Sequence, residues 1–386
     1  MNVLHVVSNL DPASGGPAEA LRGLATAQAE AGLSVRVLST WTRGADLGFA
    51  DQLRAAGVSV QLFGPCYRPF DWRPGLGRAV EAAVRSADVV HIHALWESVQ
   101  HKAASAAHRW GRPYIFRPCG MLDPWSLSQG RWKKRAYLWL RLRTDLNRAA
   151  ALHFTTAIER DLVAPLGLTA PATVEPNGIH PDEFRDLPPR AEFRAVHSIP
   201  ADARLLLFLG RVHPKKGLGL FPPALAALPG VHLVVAGPDH DGCGNQVRRQ
   251  AEELGVADRV RFVGMLRGQE KLAAFAAADL FVLPSHQENF GNAVVEALAV
   301  GLPVVISDQV NLWPDVRDAG VGGVVPLRVD ALTDELRRWL TAPELRAEAG
   351  RKAISWVRER YDWAAIARRW VGHYTQFASQ AELKPH

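Results

Sequence analysis

Cysteine is scarce in this sequence, with three residues among 386. Cys66, Cys119 and Cys243 are odd in number and widely spaced, which excludes a disulfide framework and a Cys-x-x-Cys metal site. Such a composition is typical of a reduced, cytoplasmic protein. The N-terminus lacks a basic segment followed by a long apolar core, so we expect no signal peptide. No run of about 18 residues is uniformly apolar and uncharged, so we expect no transmembrane helix.

Two nucleotide-binding motifs are also missing. A Gly-x-Gly-x-x-Gly fingerprint does not follow the first predicted strand, where only Gly15-Gly16 occurs. A P-loop needs a Gly-Lys pair, and the sequence contains none. These absences argue against NAD chemistry and against P-loop nucleotide hydrolysis.

What is present is the composition of a globular α/β protein, with 48% hydrophobic and 22% charged residues. Its length favours two domains. Short apolar strands alternate with helices, which predicts parallel sheets covered by helices. The alternation stops at a polar, proline-rich stretch after Pro176 and restarts near Arg204. We therefore predict two Rossmann-like domains facing each other across a cleft, residues 1–178 and 179–362, with a last helix at about 363–386 packing back onto the first.

The formal net charge of +6 lies in one short segment. The stretch from Arg131 to Arg143 carries six basic residues and no acidic one, and the rest of the chain is balanced. Trp132, Ala136, Trp139 and Leu140 share one face of a predicted helix there. Such a helix can lie on an anionic membrane, or its tryptophan face can pack on its own domain. No nucleic-acid-binding motif accompanies it, so we expect no nucleic-acid partner. The predicted membrane patch comprises Arg131, Trp132, Lys133, Lys134 and Arg135.

A second basic feature follows the first strand of the C-terminal half. Gly210-Arg211 ends that strand, and Lys216 comes five residues later. Two positive charges at the carboxyl edge of a sheet suit a diphosphate, since the Arg fork and the Lys point charge both bind phosphate oxygens. The alternative is a solvated surface loop.

The segment from Pro284 to Pro303 carries the most specific pattern. A strand leads into Glu288, then Phe290-Gly291-Asn292, and then a helix that contains Glu296. We predict Asn292 as the N-cap, with free backbone N–H groups at the helix start that can bind phosphate. Glu288 and Glu296 are suited to bind hydroxyl groups at opposite ends of one ligand. The alternative is a pair of surface glutamates flanking a helix start.

Together these segments resemble the retaining glycosyltransferases of family four, which have the GT-B fold, and in particular the bacterial polysaccharide type. The resemblance covers essentially the whole chain. It rests on Glu288 to Glu296 with the following Ala-Leu-Ala-x-Gly-x-Pro, on Gly210-Arg211 to Lys216-Gly217, and on Gly15-Gly16.

The resemblance implies a role for each of these residues. Glu288 would contact hydroxyls of the transferred sugar, Glu296 would bind the ribose, and Arg211 and Lys216 would stabilise the diphosphate. Further nucleotide-sugar contacts are implied for a set of backbone and loop positions: Gly15, Gly16, Gly264, Met265, Phe290, Gly291 and Asn292. The family uses no metal and no cofactor beyond the nucleotide sugar, which is GDP- or UDP-linked.

Two histidines end the strand Asp88-Val-Val-His-Ile-His. The resemblance places His93 beside the reacting sugar, which adds it to the predicted catalytic set of His93, Glu288, Arg211 and Lys216. We expect His91 to face the opposite side of the sheet in a structural role, so that the pair does not ligate one metal ion. Arg117 and Asp123, in the loop after the next strand, are predicted to face the acceptor, although Asp123 is equally suited to cap a turn.

We therefore predict a retaining hexosyltransferase that uses a nucleoside diphosphate sugar. Its expected acceptor is a glycan, lipid-linked, in polysaccharide or lipopolysaccharide biosynthesis, and its expected location is the cytoplasm, peripheral at the inner leaflet. The alternatives are a GT-B nucleotide-sugar epimerase and a two-lobed sugar-binding protein. The sequence does not decide between GDP and UDP sugars.

Overall fold

A computed structural model describes residues 1–12, 15–67, 71–239 and 242–382 of the protein. The chain divides into two compact units. The first contains residues 1–178 together with the C-terminal segment from Trp363, and the second contains residues 179–362. Each unit is built around its own sheet.

The first unit contains a seven-stranded sheet in the order β3-β2-β1-β4-β5-β6-β7. All of its described strand pairs are parallel. The order of the first six strands, 3-2-1-4-5-6, is that of doubly wound nucleotide-binding folds. The strands are β1 (Asn2–Val7), β2 (Ser34–Thr40), β3 (Ser59–Phe63), β4 (Val89–His93), β5 (Tyr114–Arg117), β6 (Ala151–Phe154) and β7 (Ala172–Val174).

Helices connect these strands, and the C-terminal helix joins them. They are α1 (Gly16–Glu30), α2 (Gly48–Ala55), α3 (Leu76–Arg85), α4 (Ser98–Arg109), α5 (Pro124–Ser128), α6 (Arg131–Tyr137), α7 (Arg143–Asn147), α8 (Ala157–Val163) and α17 (Trp363–Glu382). Helix α17 packs its buried side chains on α1 and on β1, β4, β5 and β6. The approach is close, since a Cβ atom on Gly23 of α1 would lie 2.2 Å from the indole nitrogen of Trp363.

The second unit repeats the strand order in a six-stranded sheet, β10-β9-β8-β11-β12-β13. Its described pairs are also parallel. The central strands are fully buried, as expected of a parallel sheet covered on both faces. The strands are β8 (Arg204–Leu209), β9 (Val231–Ala236), β10 (Val260–Gly264), β11 (Leu280–Leu283), β12 (Val304–Ser307) and β13 (Gly322–Val325).

The helices of the second unit cover both faces of this sheet and form one continuous core with it. They are α9 (Arg190–Val196), α10 (Phe221–Ala226), α11 (Cys243–Glu253), α12 (Gly268–Ala277), α13 (Asn292–Ala299), α14 (Trp313–Ala319), α15 (Val329–Thr341) and α16 (Pro343–Tyr361). The predicted fold class, two α/β units with parallel sheets, is confirmed. Across the described residues, no helix combines the length and the apolar character that crossing a membrane requires.

Two local predictions were wrong. The N-cap of α13 is Gly291 rather than Asn292. Gly291 has φ +85°, a left-handed conformation that favours glycine. The basic segment from Arg131 to Arg143 is not one regular helix. A π-helical turn at Leu138–Leu142 separates α6 from α7 and shifts the phase of the side chains that follow.

Candidate functional site

The second sheet brings two of the predicted segments together. Strands β8 and β11 are hydrogen-bonded neighbours, although the chain leaves β8 towards β9 on the other side. Their carboxyl ends therefore form the switch point at which doubly wound sheets bind ligands. Arg211 and Lys216 follow β8, and Glu288 follows β11.

Glycines allow the loops at this edge to approach one another closely. A Cβ atom on Gly217, which has φ +68°, would lie 1.9 Å from the carbonyl oxygen of Pro284. Gly217 thus seats the turn Pro214–Lys216 directly on the end of β11. The backbone N–H of His286 donates to the carbonyl of Lys215 at 2.7 Å and holds the two loops together.

Lys216 and Glu288 form an ion pair at this point. The Nζ atom of Lys216 donates to Oε2 of Glu288, and both side chains are largely buried, with 15% and 20% exposed. Burial alone would raise the pKa of Glu288, but the charge and hydrogen bond of Lys216 lower it below its ordinary value, with Lys215 and Arg211 adding to the effect. Glu288 is therefore a carboxylate at neutral pH, surrounded by positive charge.

The backbone fixes Glu288 in place. Its N–H donates to the carbonyl of Gln309 at 3.0 Å, and its carbonyl accepts from Asn311 at 3.0 Å, which pins it to the loop after β12. Gly291 follows at the start of α13, where a Cβ atom would lie 3.4 Å from Cγ of Glu288. The start of α13 thus lies beside the Glu288 side chain, as the phosphate-site prediction requires.

The other residues of this unit that were predicted to contact the nucleotide sugar differ in burial and in their partners. The Phe290 ring is buried and packs edge-on against Tyr361, so only its backbone remains for a ligand. Glu296 pairs with Lys271 of α12 at 3.0 Å, a lysine that sequence reasoning missed because it lies far from the motif in the chain. Gly264 ends β10 with φ +74°, and Met265 beside it is exposed.

An Asp-x-Asp triplet, Asp239-His240-Asp241, also follows β9. Its last two residues lie outside the described part of the chain. The Oδ2 atom of Asp239 accepts the N–H of Gly244 at 3.0 Å, in the first turn of α11. Asp239, the one described residue of the triplet, therefore binds the backbone at the start of α11.

The first sheet presents the other predicted segments at its own switch point. Its strands β1 and β4 are neighbours. The Gly15-Gly16 pair starts α1 after β1, and Gly15 has φ +89°. His93 ends β4 and is fully buried, and Ala94 after it is left-handed, with φ +65°. A strained non-glycine residue at a strand end is a feature of functional sites.

The prediction that His91 and His93 face opposite sides was wrong. Side chains two residues apart on a strand share a face, and the two rings stack with centroids 4.5 Å apart. Together with His5 they bring three imidazole nitrogens within 4.8 Å of one another. Stacked rings direct their lone pairs along parallel planes rather than at one point, and Nδ1 of His5 is 2.9 Å from Nε2 of His93, a hydrogen bond. The geometry is that of a hydrogen-bonded network.

The two predicted acceptor-side residues are buried. Arg117 ends β5 and donates to Oδ1 of Asn177. Asp123 caps α5 by accepting the N–H of Ser126 at 2.6 Å, the alternative considered from the sequence. Sequence reasoning missed Glu97, which occupies the N-cap position of α4 shortly after His93. Burial raises its pKa, and its Oε2 atom has no hydrogen-bond partner among the described residues.

The apolar face of the basic segment is exposed rather than packed. The exposed fractions are 78% for Trp132, 64% for Trp139 and 86% for Leu140, which rules out packing of this face on its own domain. Lys134 is partly buried, unlike Trp132, Lys133 and Arg135 of the predicted patch. Its Nζ atom donates to the carbonyl of Ser126 at 2.6 Å and lies 5.5 Å from the Trp96 ring centroid. Lys133 and Arg135 are exposed, and the side chain of Arg131 lies outside the described part.

Comparisons with known proteins agree with this architecture. The family model described as "Glycosyl transferases group 1" matches residues 189–356, and the "Glycosyl transferase 4-like domain" matches residues 15–178. A D-inositol 3-phosphate glycosyltransferase of Streptomyces griseus is 32% identical over 319 residues, covering 75% of this chain and 66% of that protein. A second, from Saccharomonospora viridis, is 32% identical and covers 72% and 67%.

A solved structure shares the fold. Anabaena HepE in complex with UDP-glucose has a TM-score of 0.81 and 20% identity, with 97% of this chain and 100% of that one covered. The two α/β units with parallel sheets thus define the GT-B fold. The chain belongs to the glycosyl transferase group 1 family, as its sequence predicted. It spans about two thirds of the length of the curated relatives named above.

Proposed function

We propose that the second unit binds a nucleoside diphosphate sugar at the carboxyl ends of β8 and β11. The observation that carries this proposal is the Lys216–Glu288 ion pair with Arg211 beside it. Diphosphate oxygens and sugar hydroxyls are the two kinds of group that such a site can bind at once, since it offers cations and one carboxylate. UDP-glucose in the related HepE structure supports the same class of ligand.

The chemistry follows from the charges. When the sugar leaves the diphosphate, negative charge builds on the phosphate oxygens, and Arg211 and Lys216 stabilise it. Glu288 accepts hydrogen bonds from sugar hydroxyls, and Glu296 accepts them from the ribose. The N–H groups at the start of α13 bind phosphate. In this account the two cations take the place of a divalent metal, so we propose that transfer requires neither metal nor cofactor.

We propose further that the transferred group is a hexose and that its configuration is retained. His93 accepts a hydrogen bond from a substrate hydroxyl. In this proposal Gly15 and Gly16 bind phosphate at the start of α1, and Gly264 and Met265 of the second unit bind the base. The proposed acceptor is a glycan on an anionic lipid carrier, in polysaccharide or lipopolysaccharide assembly at the inner leaflet.

The exposed face of the basic segment supports the membrane part of this proposal. Tryptophan and leucine side chains flanked by lysine and arginine bind the interface of an anionic bilayer. The guanidinium of Arg143 lies 4.8 Å from the ring centroid of Trp139, so positive charge and aromatic surface are presented together. In this proposal the basic segment holds the first unit against the bilayer that carries a lipid-linked acceptor.

A second acceptor class is a free polyol phosphate. The relatives named as D-inositol 3-phosphate glycosyltransferases favour it. The two classes share an anionic phosphate and differ in the lipid tail. Transfer assays with an undecaprenyl diphosphate-linked sugar and with inositol 3-phosphate therefore separate them.

The experiment for the whole proposal starts from nucleotide binding. Purified protein is heated with GDP, UDP and ADP in turn, and the nucleotide that raises the unfolding temperature selects the sugar series for transfer assays. A ligand at 100 times its Kd adds about 2.7 kcal/mol to the free energy of unfolding. Product analysis by mass and anomeric NMR then shows whether the sugar is transferred with retention. A new product formed without any acceptor would instead indicate an epimerase.

A further inference from the structure

The first unit contains a buried network of polar side chains behind His93. Its members come from three strands and two helices, including the C-terminal one, and we call it the histidine network: His5, Gln28, His91, His93, His153 and Tyr374. All six side chains are buried. Buried polar groups are almost always hydrogen-bonded, and each of these groups has a fixed number of donors and acceptors. The donor and the acceptor of each bond can therefore be assigned.

One backbone carbonyl sets the direction of the first half. Nε2 of His153 is 2.8 Å from the carbonyl oxygen of Glu175, which only accepts, so this nitrogen carries the proton. Nδ1 of His153 then accepts from Nε2 of His91 at 3.2 Å. Nδ1 of His91 in turn accepts from the hydroxyl of Tyr374 at 2.8 Å.

The directions of the remaining hydrogen bonds in the network follow from Gln28. Because the Tyr374 proton is already donated, its oxygen accepts from Nε2 of Gln28 at 3.0 Å. The amide oxygen of Gln28 then faces His5 and accepts from Nε2 of that ring at 2.7 Å. This leaves Nδ1 of His5 to accept from Nε2 of His93 at 2.9 Å.

This assignment requires every imidazole to be neutral, and the surroundings favour that state. Burial lowers the pKa of His5 to about 4 and lowers those of His91, His93 and His153 well below the ordinary value. The positive charge of Arg117, at the end of the neighbouring strand, lowers all four further.

The network ends at Nδ1 of His93. Once Nε2 of His93 carries the proton, Nδ1 holds a lone pair, and this buried atom has no hydrogen-bond partner among the described residues. A buried acceptor of this kind is costly unless a ligand or water donates to it. A hydroxyl group is the donor that a sugar substrate supplies.

We propose that the histidine network fixes His93 in the Nε2–H tautomer, so that Nδ1 is held as an acceptor for a substrate hydroxyl. Tyr374 and Gln28 are then positioning residues that act on His93 through His5. The C-terminal helix, which supplies Tyr374, thereby contributes to the site as well as to the core. The substrate part of this inference rests on the proposed function, whereas the tautomer of His93 does not.

The tautomer is tested by NMR on the full chain with 15N-labelled histidine. Two-bond correlations distinguish Nε2–H from Nδ1–H rings, and His93→Gln assigns the His93 signals. At pH 7 we expect His93 as the Nε2–H form. In Tyr374→Phe the Gln28 amide is free to reverse, which allows His5 to donate and His93 to become Nδ1–H, so signals of that form should appear. A wild-type Nδ1–H or imidazolium ring, or a Tyr374→Phe spectrum identical to wild type, would overturn the proposal.

The matched control is Tyr114→Phe. Tyr114 is another buried tyrosine of the same unit, and its hydroxyl donates to the carbonyl of Asp145 at 2.7 Å, outside the network. It should leave the His93 tautomer unchanged. If Tyr374→Phe does not fold, Gln28→Met removes the same link and carries the same expectation.

Kinetics supply the second readout. With an active nucleotide sugar, Tyr374→Phe should lower kcat about tenfold and leave KM for that sugar within about twofold, while Tyr114→Phe keeps the wild-type values. Equal losses in both variants would overturn the positioning role. If the wild type transfers no sugar, the proposed function fails, and the NMR spectra still decide the tautomer on their own.

Discussion

Lys216 and Glu288 are 72 residues apart in the chain and form an ion pair where two neighbouring parallel strands end. Neither residue is close to the other in sequence, and the switch point of the second sheet brings them together. The pair leaves a carboxylate surrounded by cations at the edge where such sheets bind nucleotides.

Removing Lys216 should raise the pKa of Glu288. Burial, which raises that pKa, remains, while the largest lowering contribution is lost in Lys216→Met. Glu288 is ionised above its pKa, so the acidic limb of the pH–rate profile should move to higher pH, and kcat at neutral pH should fall about 100-fold.

The control for this variant is Lys215→Met. Lys215 is the adjacent lysine and contributes less to the pKa of Glu288. It should give a smaller shift of the acidic limb and near wild-type turnover. If both variants show the same profile, the specific pairing with Lys216 does not govern Glu288.

The close contact of Gly217 gives a prediction about stability. Alanine at this position places Cβ against the carbonyl of Pro284 and also adopts a left-handed conformation. Gly230→Ala is the matched control, since Gly230 has φ +72° and no atom within 4 Å of the added Cβ. Both variants carry the conformational cost of about 1–2 kcal/mol.

Overpacking should make Gly217→Ala worse by a further 1–3 kcal/mol, roughly, in urea unfolding. Gly217→Ala should also weaken nucleotide binding, because the turn that carries Lys216 moves. Equal free energies of unfolding for the two variants would show that Gly217 and the carbonyl of Pro284 are not in close contact in solution.

The histidine network predicts sensitivity to acid. His5, His91, His93 and His153 all have a pKa below 6.5 in the folded protein, while the unfolded chain returns them to about 6.5. Between the folded-state pKa and about 6.5, the unfolded chain binds more protons than the folded protein does. The free energy of unfolding is therefore highest above pH 6.5 and falls as the pH is lowered through this window. For His5 alone the window runs from about 6.5 down to about 4.

Urea unfolding at pH 7 and pH 5 measures this loss, and we expect a lower free energy of unfolding at pH 5 than at pH 7. His108→Gln, which alters an exposed histidine, is the control and should show the wild-type slope. A free energy of unfolding that is constant between pH 7 and pH 5 would contradict the neutral, buried assignment.

Membrane binding should depend on the charges and the aromatic face of the basic segment. Lys133→Glu/Arg135→Glu should weaken binding to vesicles that contain anionic lipid by at least about thirtyfold at low salt, since each of the two basic residues contributes about 1 kcal/mol near the surface. Trp139→Ala should reduce it independently of salt.

Arg43→Glu/Arg148→Glu is the control for the charge reversal. It makes the same change in net charge at exposed positions elsewhere in the first unit. Binding that falls equally in both double variants would show a general charge effect, and the assignment of the basic segment as the membrane contact would be wrong.

The sequence predicted the two α/β units and their family because strand periodicity and the Glu288–Glu296 motif are local signals. It did not predict Lys271 beside Glu296, or the histidine network, because these contacts join distant segments. Gln28 and Tyr374 are 346 residues apart, and no local pattern relates them. The N-cap of α13 was misassigned because Asn is a strong capping residue, whereas the left-handed backbone at that point favours Gly291.

The most direct test of the account is the turnover of the selected nucleotide sugar by Glu288→Gln, with Glu270→Gln as the control at an exposed glutamate of the same unit. Glu288→Gln keeps the size of the side chain but removes its charge. The account predicts a folded protein whose kcat is lower by about 100-fold or more, with the control at the wild-type rate. Wild-type turnover by folded Glu288→Gln would contradict the assignment of the nucleotide-sugar site.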